Sequence, residues 1–339
     1  MNILLDTHML EKQETGNERY WANLSKTLNK YQINYNIENY PHNNKNGLYR
    51  ILFGFNNAIK LRDIDIIHVQ NFTPFIKTVP IVNTVHDLCF KYYPNLFGIK
   101  TKLAFNYLFK RSLNLSDIII CVSENTKKTL IKYYKIDKKK IFVVYEAADN
   151  CFKHKKNKNE IRDFLNKKFN IKSNYFLIVG NVENRKLPHQ IIKAFNKIEK
   201  EFKNTNIVFA GHNKLKLKEK NNIRFLGYVS DKELNLLYNG AISLIYLSLC
   251  EGFGLPLIEA MTTKIPIICS DIPVFREITR DCALYVKNVK ELSSTMRIVL
   301  KNRKIREKYS FLGFNRSKFF SWEKTALETL NLYKKALKK

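Results

Sequence analysis

Short apolar segments alternate with longer amphipathic segments along most of this 339-residue chain. The short segments are apolar at nearly every position, which is typical of strands covered on both faces of a sheet. The predicted strands are 2–5, 64–69, 81–85, 117–122, 141–145, 175–179, 206–210, 223–225, 242–247 and 265–269. The predicted helices are 17–31, 101–115, 124–135, 189–202, 231–240 and 257–263. Strands that alternate with helices form parallel sheets through right-handed crossovers, so the pattern predicts an α/β protein with doubly wound sheets.

A polar stretch rich in Lys and Asn, 153–172, interrupts this alternation, and a fresh strand–helix series follows it. The length also suits two domains. We therefore predict an N-terminal domain over 1–155, a C-terminal domain over 156–320 and a closing helix over 321–339. Ser321 is the expected N-cap of that helix, because apolar residues recur after it at helical spacing.

The six cysteines include no C-x-x-C pair, so zinc and redox spacings are absent. Several lie in apolar runs, which indicates buried thiols in a reducing compartment. The first residues carry an acidic Asp6 and no long apolar stretch, unlike a signal peptide. No run approaches the roughly 20 apolar residues that span a bilayer. We expect a cytoplasmic protein, or one held peripherally on the cytoplasmic face of a membrane.

The chain carries 59 Lys and Arg residues against 30 Asp and Glu, a net charge of +29. The surplus lies in 101–170 (17 basic, 7 acidic) and 301–339 (12 basic, 3 acidic), whereas 251–300 is balanced. A polyanionic partner, an anionic membrane surface, an anionic ligand or the codon usage of an AT-rich genome would each account for it. Codon usage would also explain the many Asn and Ile residues.

The loop after strand 242–247 carries the most chemical information. Gly252 and Gly254 let its backbone approach a ligand closely, and Pro256 suits the first turn of the following helix. Glu251 and Glu259 are separated by seven residues. Because a carboxylate accepts two hydrogen bonds from a vicinal diol, this pair could hold two sugars of one ligand. The alternative is a pair that caps and solvates a helix.

This Glu–seven residues–Glu pattern around Gly-Phe-Gly-Leu-Pro resembles the signature of glycosyltransferase family 4. The resemblance implies a GT-B fold, in which two Rossmann-like domains face each other and a C-terminal helix crosses back to the N-terminal domain. Other stretches are similar to the family in the same order: 3–6, 15–20, 67–70, 84–88, 179–186 and 320–326. The stretches 15–20 and 86–87 resemble its mannosyltransferase-like branch most closely.

The resemblance implies roles for individual residues. Arg185 and Lys186 would bind the donor diphosphate and stabilise the charge that develops as the nucleotide leaves, without a metal. Glu259 would hold the ribose hydroxyls. Glu251 would hold the transferred sugar, together with the glycine loop that contains Gly252 and the backbone amides of Phe253, Gly254 and Leu255.

Four further positions follow from the resemblance. Gly16 would let the N-terminal loop approach the phosphates, and Gly180 lies in the expected diphosphate-binding turn. Val229 would lie near the base, and His86 would face the sugar from the other domain.

Three departures from the family pattern are present. They are the lack of a second glycine after Gly16, Leu187 where Asn is common, and Tyr145-Glu146-Ala147-Ala148-Asp149 where relatives often have an Asn-Gly pair.

The expected activity is retaining, metal-independent transfer of a hexose from a nucleotide diphosphate sugar. GDP-mannose is the first donor expected, and a saccharide or lipid-linked saccharide in surface polysaccharide or glycolipid assembly is the expected acceptor. Rhamnosyl, fucosyl or UDP-hexose donors are alternatives. So are a catalytically silent scaffold and a basic nucleic-acid-binding protein, although no helix-turn-helix, zinc-finger or RNA-recognition pattern is present.

Three other features have competing interpretations. Asp63-Ile64-Asp65 matches a metal-binding D-x-D, but solvated carboxylates at a strand start are the preferred interpretation. His68 is expected to be a core histidine rather than a ligand contact. The segments 101–115 and 48–62 place basic residues beside aromatic ones, which suits an anionic membrane surface. Their alternative is a packed helix with solvated lysines.

Overall fold

The computed structural model describes residues 1–7, 16–31, 36–40, 49–220 and 222–338. Thr15 and Leu48, which begin two of the segments discussed above, lie outside these residues. In the described part of the chain the strands are β1 (Asn2–Asp6), β2 (Asn36–Tyr40), β3 (Ile66–Gln70), β4 (Ile81–Val85), β5 (Ile118–Cys121), β6 (Ile141–Val143), β7 (Asn174–Val179), β8 (Thr205–Ala210), β9 (Ile223–Phe225), β10 (Ser243–Tyr246), β11 (Ile267–Ser270) and β12 (Leu284–Val286). All ten predicted strands are present, with ends that differ by at most two residues.

The strands form two six-stranded sheets, ordered β2-β1-β3-β4-β5-β6 and β12-β11-β10-β7-β8-β9. Every pairing between neighbouring strands is parallel. Numbered from β7, the second sheet has the 3-2-1-4-5-6 order of dinucleotide-binding proteins. The predicted doubly wound α/β class is confirmed.

Helices connect the strands of both sheets. In the described residues they are α1 (Gly16–Leu28), α2 (Phe55–Arg62), α3 (Cys89–Tyr92), α4 (Ile99–Leu115), α5 (Glu124–Tyr134), α6 (Lys158–Phe169), α7 (Pro188–Asn196), α8 (Asp231–Gly240), α9 (Leu255–Thr262), α10 (Pro273–Thr279), α11 (Val289–Lys301), α12 (Arg303–Ser317) and α13 (Trp322–Leu337). The predicted helix 189–202 is too long. Lys197 and Ile198 donate to the carbonyls three residues earlier, so the chain tightens into turns there.

The chain divides into two units: Met1–Ala147 with Ser321–Lys339, and Ala148–Phe320. The predicted boundary after residue 155 is therefore eight residues too late. The backbone amides of Lys153 and Lys155 donate to the side chains of Asn235 and Asn239 on α8, at 3.1 and 2.7 Å. These bonds attach the polar stretch to the second unit before residue 155.

The closing helix α13 belongs to the first unit. The Ser321 hydroxyl accepts a hydrogen bond from the amide of Lys324 at 3.1 Å, which confirms the predicted N-cap. The hydroxyl of Thr325 donates to the carbonyl of Tyr145 at 2.6 Å, and the Trp322 ring meets the edge of Tyr20. The helix thus completes the core of a unit whose other residues all lie before position 148.

Within the described ranges, no helix combines the length and the apolar character that crossing a membrane would require.

Candidate functional site

The carboxyl edge of the second sheet carries the residues of the predicted donor site. Strands β7 and β10 are neighbours there, although the chain visits β8 and β9 between them. This reversal of strand order is the topological switch point at which open α/β sheets bind ligands. The loops that follow β7 and β10 meet at this point because parallel strands end at the same edge.

Two glycines shape the turn after β7. Gly180 has a φ of +109° and Gly211, after β8, has a φ of +144°. A Cβ atom on Gly211 would lie 2.3 Å from the carbonyl oxygen of Gly180. The two backbones therefore approach to a distance that only glycine allows. A Cβ on Gly180 would lie 3.8 Å from the Lys186 side chain, which places this glycine beside the predicted phosphate-binding residues.

The loops after β7 and β10 are joined by hydrogen bonds through Arg185. Its carbonyl accepts from the amide of Leu249 at 3.0 Å, and its guanidinium donates to the carbonyl of Cys250 at 2.7 Å. Arg185 and Lys186 lie in a short 3-10 turn, Asn184–Lys186, ahead of α7. The backbone bonds fix this turn against the loop that carries Glu251.

Glu251 binds both predicted cations. Its Oε1 lies 2.6 Å from Arg185 Nη1 and 2.6 Å from Lys186 Nζ. A second carboxylate, Glu183, lies 2.9 Å from Arg185 Nη2. Lys186 also donates to the hydroxyl of Tyr246 at 2.6 Å. The structure therefore brings three of the predicted catalytic residues into one cluster.

Electrostatics in this cluster are dominated by burial and by the ion pairs. Burial alone would raise the pKa of Glu251, but the charges of Lys186 and Arg185 overcome it and lower the pKa to about 2. Burial also opposes the charge of Arg185, and Glu251 with Glu183 reverses that effect and raises the pKa. For Lys186 burial prevails, so its pKa is lowered. Glu251 is thus an anion over the whole physiological pH range.

Glu259 lies one turn into α9 and is almost fully buried. Tyr238 on α8 donates a hydrogen bond to its Oε2 at 2.7 Å. Burial raises the pKa of Tyr246, and the negative charges of Glu251 and Glu259 raise it further, which places this ring within the field of both carboxylates. Sequence reasoning missed Tyr238, Tyr246 and Glu183. The only feature of the sequence that could have indicated them is their position near the end of a predicted helix or strand.

The remaining predicted donor-site residues lie near the start of α9 or in the short segment between β9 and α8. Gly254 has a φ of +105° and precedes Leu255, the first residue of α9. Gly252 and Phe253 lie in the loop before it, and the Phe253 ring meets the edge of Phe320. Val229 is buried between β9 and α8. Their contacts with a base or a sugar remain predictions.

In the first unit, His86 follows β4 and is buried. Its Nδ1 lies 3.2 Å from Oε1 of Glu146, which is also buried. The ring of Tyr20 on α1 stands nearly perpendicular to the His86 ring, with centroids 4.9 Å apart. Gly16 is exposed at the first position of α1. The predicted roles of His86 and Gly16 toward a ligand stay predictions.

His68 is a core histidine, as preferred from the sequence. Its Nδ1 lies 2.6 Å from the Tyr333 hydroxyl and its Nε2 lies 2.7 Å from the Thr84 hydroxyl. Burial, and to a lesser extent the neighbouring His86, lowers its pKa to about 3. His68 is therefore neutral and holds β3, β4 and α13 together.

The Asp63-Ile64-Asp65 segment connects α2 to β3. Asp63 has a φ of +50° at the helix end, and the half-exposed Asp65 accepts a hydrogen bond from the amide of Asn2 at 2.7 Å. Asp63 therefore acts through its backbone, whereas the Asp65 carboxylate holds the start of β1. Across the ranges that the structure describes, no group of three or more His, Cys, Asp and Glu side chains is arranged to hold a metal ion.

Two family models match the chain, one over most of the first unit and one over most of the second. Glycosyltransferase Family 4 matches residues 16–150, and Glycosyl transferases group 1 matches residues 159–313. Together the matches leave out only residues 1–15, 151–158 and 314–339. The chain belongs to glycosyltransferase family 4. The expectation drawn from the Glu251–Glu259 signature is therefore confirmed at the level of the family.

Curated relatives of this family 4 chain include two from bacteria. The O-antigen chain mannosyltransferase RfbU of Salmonella typhimurium is 36% identical over 226 residues, which are 62% of this chain and 58% of the relative. The O-antigen chain mannosyltransferase B of Escherichia coli is 28% identical over 308 residues, 84% of this chain and 79% of the relative. The first match thus spans less than two thirds of its relative.

Solved structures show the same fold. A sucrose-phosphate synthase from Thermosynechococcus elongatus superposes with a TM-score of 0.77 at 17% identity, over 98% of both chains. At this identity the likeness concerns the fold alone. Together with the two parallel sheets, it confirms the GT-B fold predicted for the family 4 chain.

Proposed function

We propose that this protein transfers a hexose from a nucleotide diphosphate sugar to a saccharide or lipid-linked saccharide, with retention of anomeric configuration and without a metal. Mannose from GDP-mannose is the first donor proposed, in the assembly of a surface polysaccharide or glycolipid. Rhamnosyl, fucosyl and UDP-hexose donors are the alternatives. The two O-antigen mannosyltransferases among the relatives support mannose.

One observation carries the proposal. Arg185 and Lys186 stand at the topological switch point, fixed by backbone bonds and paired with a single carboxylate oxygen of Glu251. Two cations held in a partly buried site suit a diphosphate, whose oxygens can replace the carboxylate as their partner. The carboxylate displaced from the cations is then available to accept hydrogen bonds from sugar hydroxyls. This arrangement is more specific than a solvated basic surface.

The proposed chemistry is a displacement on one face of the sugar. The bond between the anomeric carbon and the diphosphate oxygen breaks, and a bond from the same carbon to the acceptor oxygen forms. The departing phosphate oxygen accepts the acceptor's proton, so no side-chain base is needed. Arg185 and Lys186 stabilise the negative charge that develops on the diphosphate, which is electrostatic catalysis by groups already in place.

The test uses purified protein with candidate donors and with EDTA present. Arg185→Ala and Lys186→Ala should each lower turnover of the accepted donor by a factor of about 100 or more, as expected for the loss of a preorganised charge partner. Arg297→Ala is the matched control, because Arg297 is a half-exposed arginine of the same unit paired with Glu201 on the surface. Turnover like that of the unmodified protein in both variants would refute the site. Loss of turnover in EDTA that manganese restores would refute metal independence.

The first unit carries a surface that suits an anionic membrane. On α4, Leu103 and Tyr107 are 55% and 74% exposed, and Phe75 and Ile76 of the loop after β3 are 48% and 60% exposed. Arg111 of α4 lies over the Phe75 ring at 4.4 Å and donates to the carbonyl of Pro74, which joins the helix to the loop. Exposed apolar side chains beside basic ones favour anionic headgroups.

The closing helix adds basic charge to the same unit. Lys335 of α13 lies over the ring of Phe142 on β6 at 4.4 Å, just beyond the Lys138–Lys140 turn. We therefore include peripheral attachment to an anionic membrane face in the proposal, with no nucleic acid as partner. In flotation, vesicles with anionic lipid should retain the protein and neutral vesicles should not.

Replacing both Leu103 and Tyr107 with Ser should abolish flotation. The matched control is Phe311→Ser, because Phe311 is a similarly exposed aromatic residue, 65% exposed, on α12 of the other unit. Flotation that is independent of anionic lipid would leave codon usage as the explanation of the surplus charge.

A further inference from the structure

Glu146 is a buried carboxylate in the segment after β6. It is only 4% exposed. A buried carboxylate is costly unless charged or polar groups satisfy it. Its hydrogen-bond partner is the buried imidazole of His86, at 3.2 Å from Nδ1. The fold thus brings together a buried carboxylate–imidazole pair.

The pair determines which ring nitrogen of His86 carries the proton. An ionised carboxylate only accepts hydrogen bonds, so the nitrogen that faces it must be the donor. We propose that Glu146 holds His86 in the Nδ1–H tautomer, so that Nε2 presents a lone pair that accepts a hydrogen bond from a hydroxyl group of the bound sugar. This proposal rests on the proposed glycosyl transfer and adds a positioning residue to it.

The remaining surroundings of His86 support this assignment. Tyr20 meets the ring edge-on, and its hydroxyl is fixed by Thr84 at 3.0 Å. The ring is thereby oriented from two sides. Its Nε2 is buried and, among the described residues, has no hydrogen-bond partner. An imidazole nitrogen that is buried, oriented and unpaired is costly in a stable protein, so a ligand group or an ordered water must satisfy it.

A second unpaired polar group lies on the neighbouring strand. Gln70 ends β3 and is 2% exposed, and neither its amide nitrogen nor its amide oxygen has a partner within the described residues. Gln70 pairs in register with Thr84, so the two side chains share one face of the sheet. Thr84 bonds the hydroxyl of Tyr20, and the Tyr20 ring meets His86. An amide and an imidazole acceptor together suit a ligand rich in hydroxyl groups.

The titratable groups near His86 come from several elements. They include Glu146 after β6, His68 on β3, Tyr20 on α1 and the adjacent Asp87, whose carboxylate accepts from the amide of Cys89. His68 is neutral and Tyr20 is un-ionised at neutral pH, because burial shifts the pKa of each away from its charged form. Among these groups, Glu146 is the one whose carboxylate oxygen faces Nδ1 of His86.

The test is nitrogen-15 NMR of the full chain labelled on histidine, without ligand. The seven histidines give few signals, and those lost in His86→Asn identify His86. We expect a pyrrole-type shift for Nδ1 and a pyridine-type shift for Nε2. Glu146→Ala, and Glu146→Leu as a variant that keeps the side-chain volume, should exchange the two types. Asp137→Ala, which removes an exposed carboxylate of the same unit, should leave them unchanged.

Kinetics supply the second readout. Glu146→Ala should lower kcat/KM for the donor about tenfold, the equivalent of about 1.4 kcal/mol, and should have little further effect in the His86→Asn background. A pyridine-type Nδ1 in the unmodified protein, or shifts that Glu146→Ala and Glu146→Leu leave unchanged, would overturn the proposal. The NMR result requires no turnover. Failure of the proposed glycosyl transfer would therefore be seen in the activity assay alone, with the tautomer still measured.

Discussion

Replacing Glu251 with Gln should destabilise the second unit in a way that depends on pH. The pKa of Glu251 lies at about 2 in the folded protein, against an ordinary value of 4.5. At about 1.36 kcal/mol for each pH unit, this difference is about 3 kcal/mol of folding free energy. Because the folded pKa is the lower one, the stabilisation is complete above pH 4.5 and is lost as the pH falls toward 2. The amide introduced by the substitution cannot ionise, so the variant lacks this contribution at every pH.

The expected destabilisation by Glu251→Gln is therefore about 3 kcal/mol at pH 7 and about 1 kcal/mol at pH 3. The assay is urea unfolding at both pH values. Both tryptophans, Trp21 and Trp322, lie in the first unit, so their fluorescence follows that unit alone. Far-ultraviolet circular dichroism follows both units. An unfolding transition that appears in circular dichroism but not in tryptophan fluorescence therefore belongs to the second unit.

Glu201→Gln is the matched control. Glu201 also has two cationic partners, Arg297 at 2.8 Å and Lys301 at 2.6 Å, but this cluster lies on the surface of the second unit. Exposed ion pairs contribute little to stability, so no measurable change is expected. Equal destabilisation by Glu251→Gln at pH 7 and pH 3, or no destabilisation at pH 7, would show that the ion pairs do not hold the Glu251 charge as argued.

Three further predictions concern other parts of the molecule. Tyr238→Phe should weaken GDP binding about fivefold in calorimetry, since it removes the hydrogen-bond donor that orients Glu259, the carboxylate proposed to hold the ribose hydroxyls, and should not affect binding of a dideoxyribose analogue. Gly211→Ala should destabilise the second unit by about 2 kcal/mol in urea, because its Cβ would collide with the backbone of Gly180, whereas Gly98→Ala should have little effect because no atom lies within 4 Å. Below pH 6.5 His68 is protonated in the unfolded chain but stays neutral in the folded one, so the unfolding free energy of the first unit should fall by up to about 1.4 kcal/mol per pH unit. His68→Gln should make this dependence of stability on pH, followed by tryptophan fluorescence, shallower.

Strands were easier to predict from the sequence than helices. A buried parallel strand is a continuous apolar run, and all ten predicted runs are strands. The sequence does not predict β2, because Asn-Ile-Glu-Asn-Tyr contains no such run, and it does not predict β12. Helix α6 was missed because its lysines and asparagines suggested a linker, while only Ile161 and Leu165 are buried.

The candidate site was predictable where a motif is continuous along the chain. Glu251 and Glu259 occur in one segment, and Arg185 follows a recognisable strand. Tyr238 and Tyr246 were not predictable, because their importance depends on which strands and helices the fold places side by side. The same reason explains Glu146. Its contact with His86 joins residues 60 positions apart, which no local pattern in the sequence reveals.

The division of the chain also has a consequence for the order of folding during synthesis. The second unit is one continuous segment, 148–320, whereas the first unit needs residues 321–339. These residues leave the ribosome after the second unit, and they include Tyr333, which is fully buried against His68. Domains generally fold as units while the chain emerges, the N-terminal one first. Here that order is reversed for the final step. Until α13 has been synthesised, the side of β3 and β4 that this helix covers stays open to solvent. A nascent chain that has already folded its second unit therefore still exposes an apolar surface to chaperones.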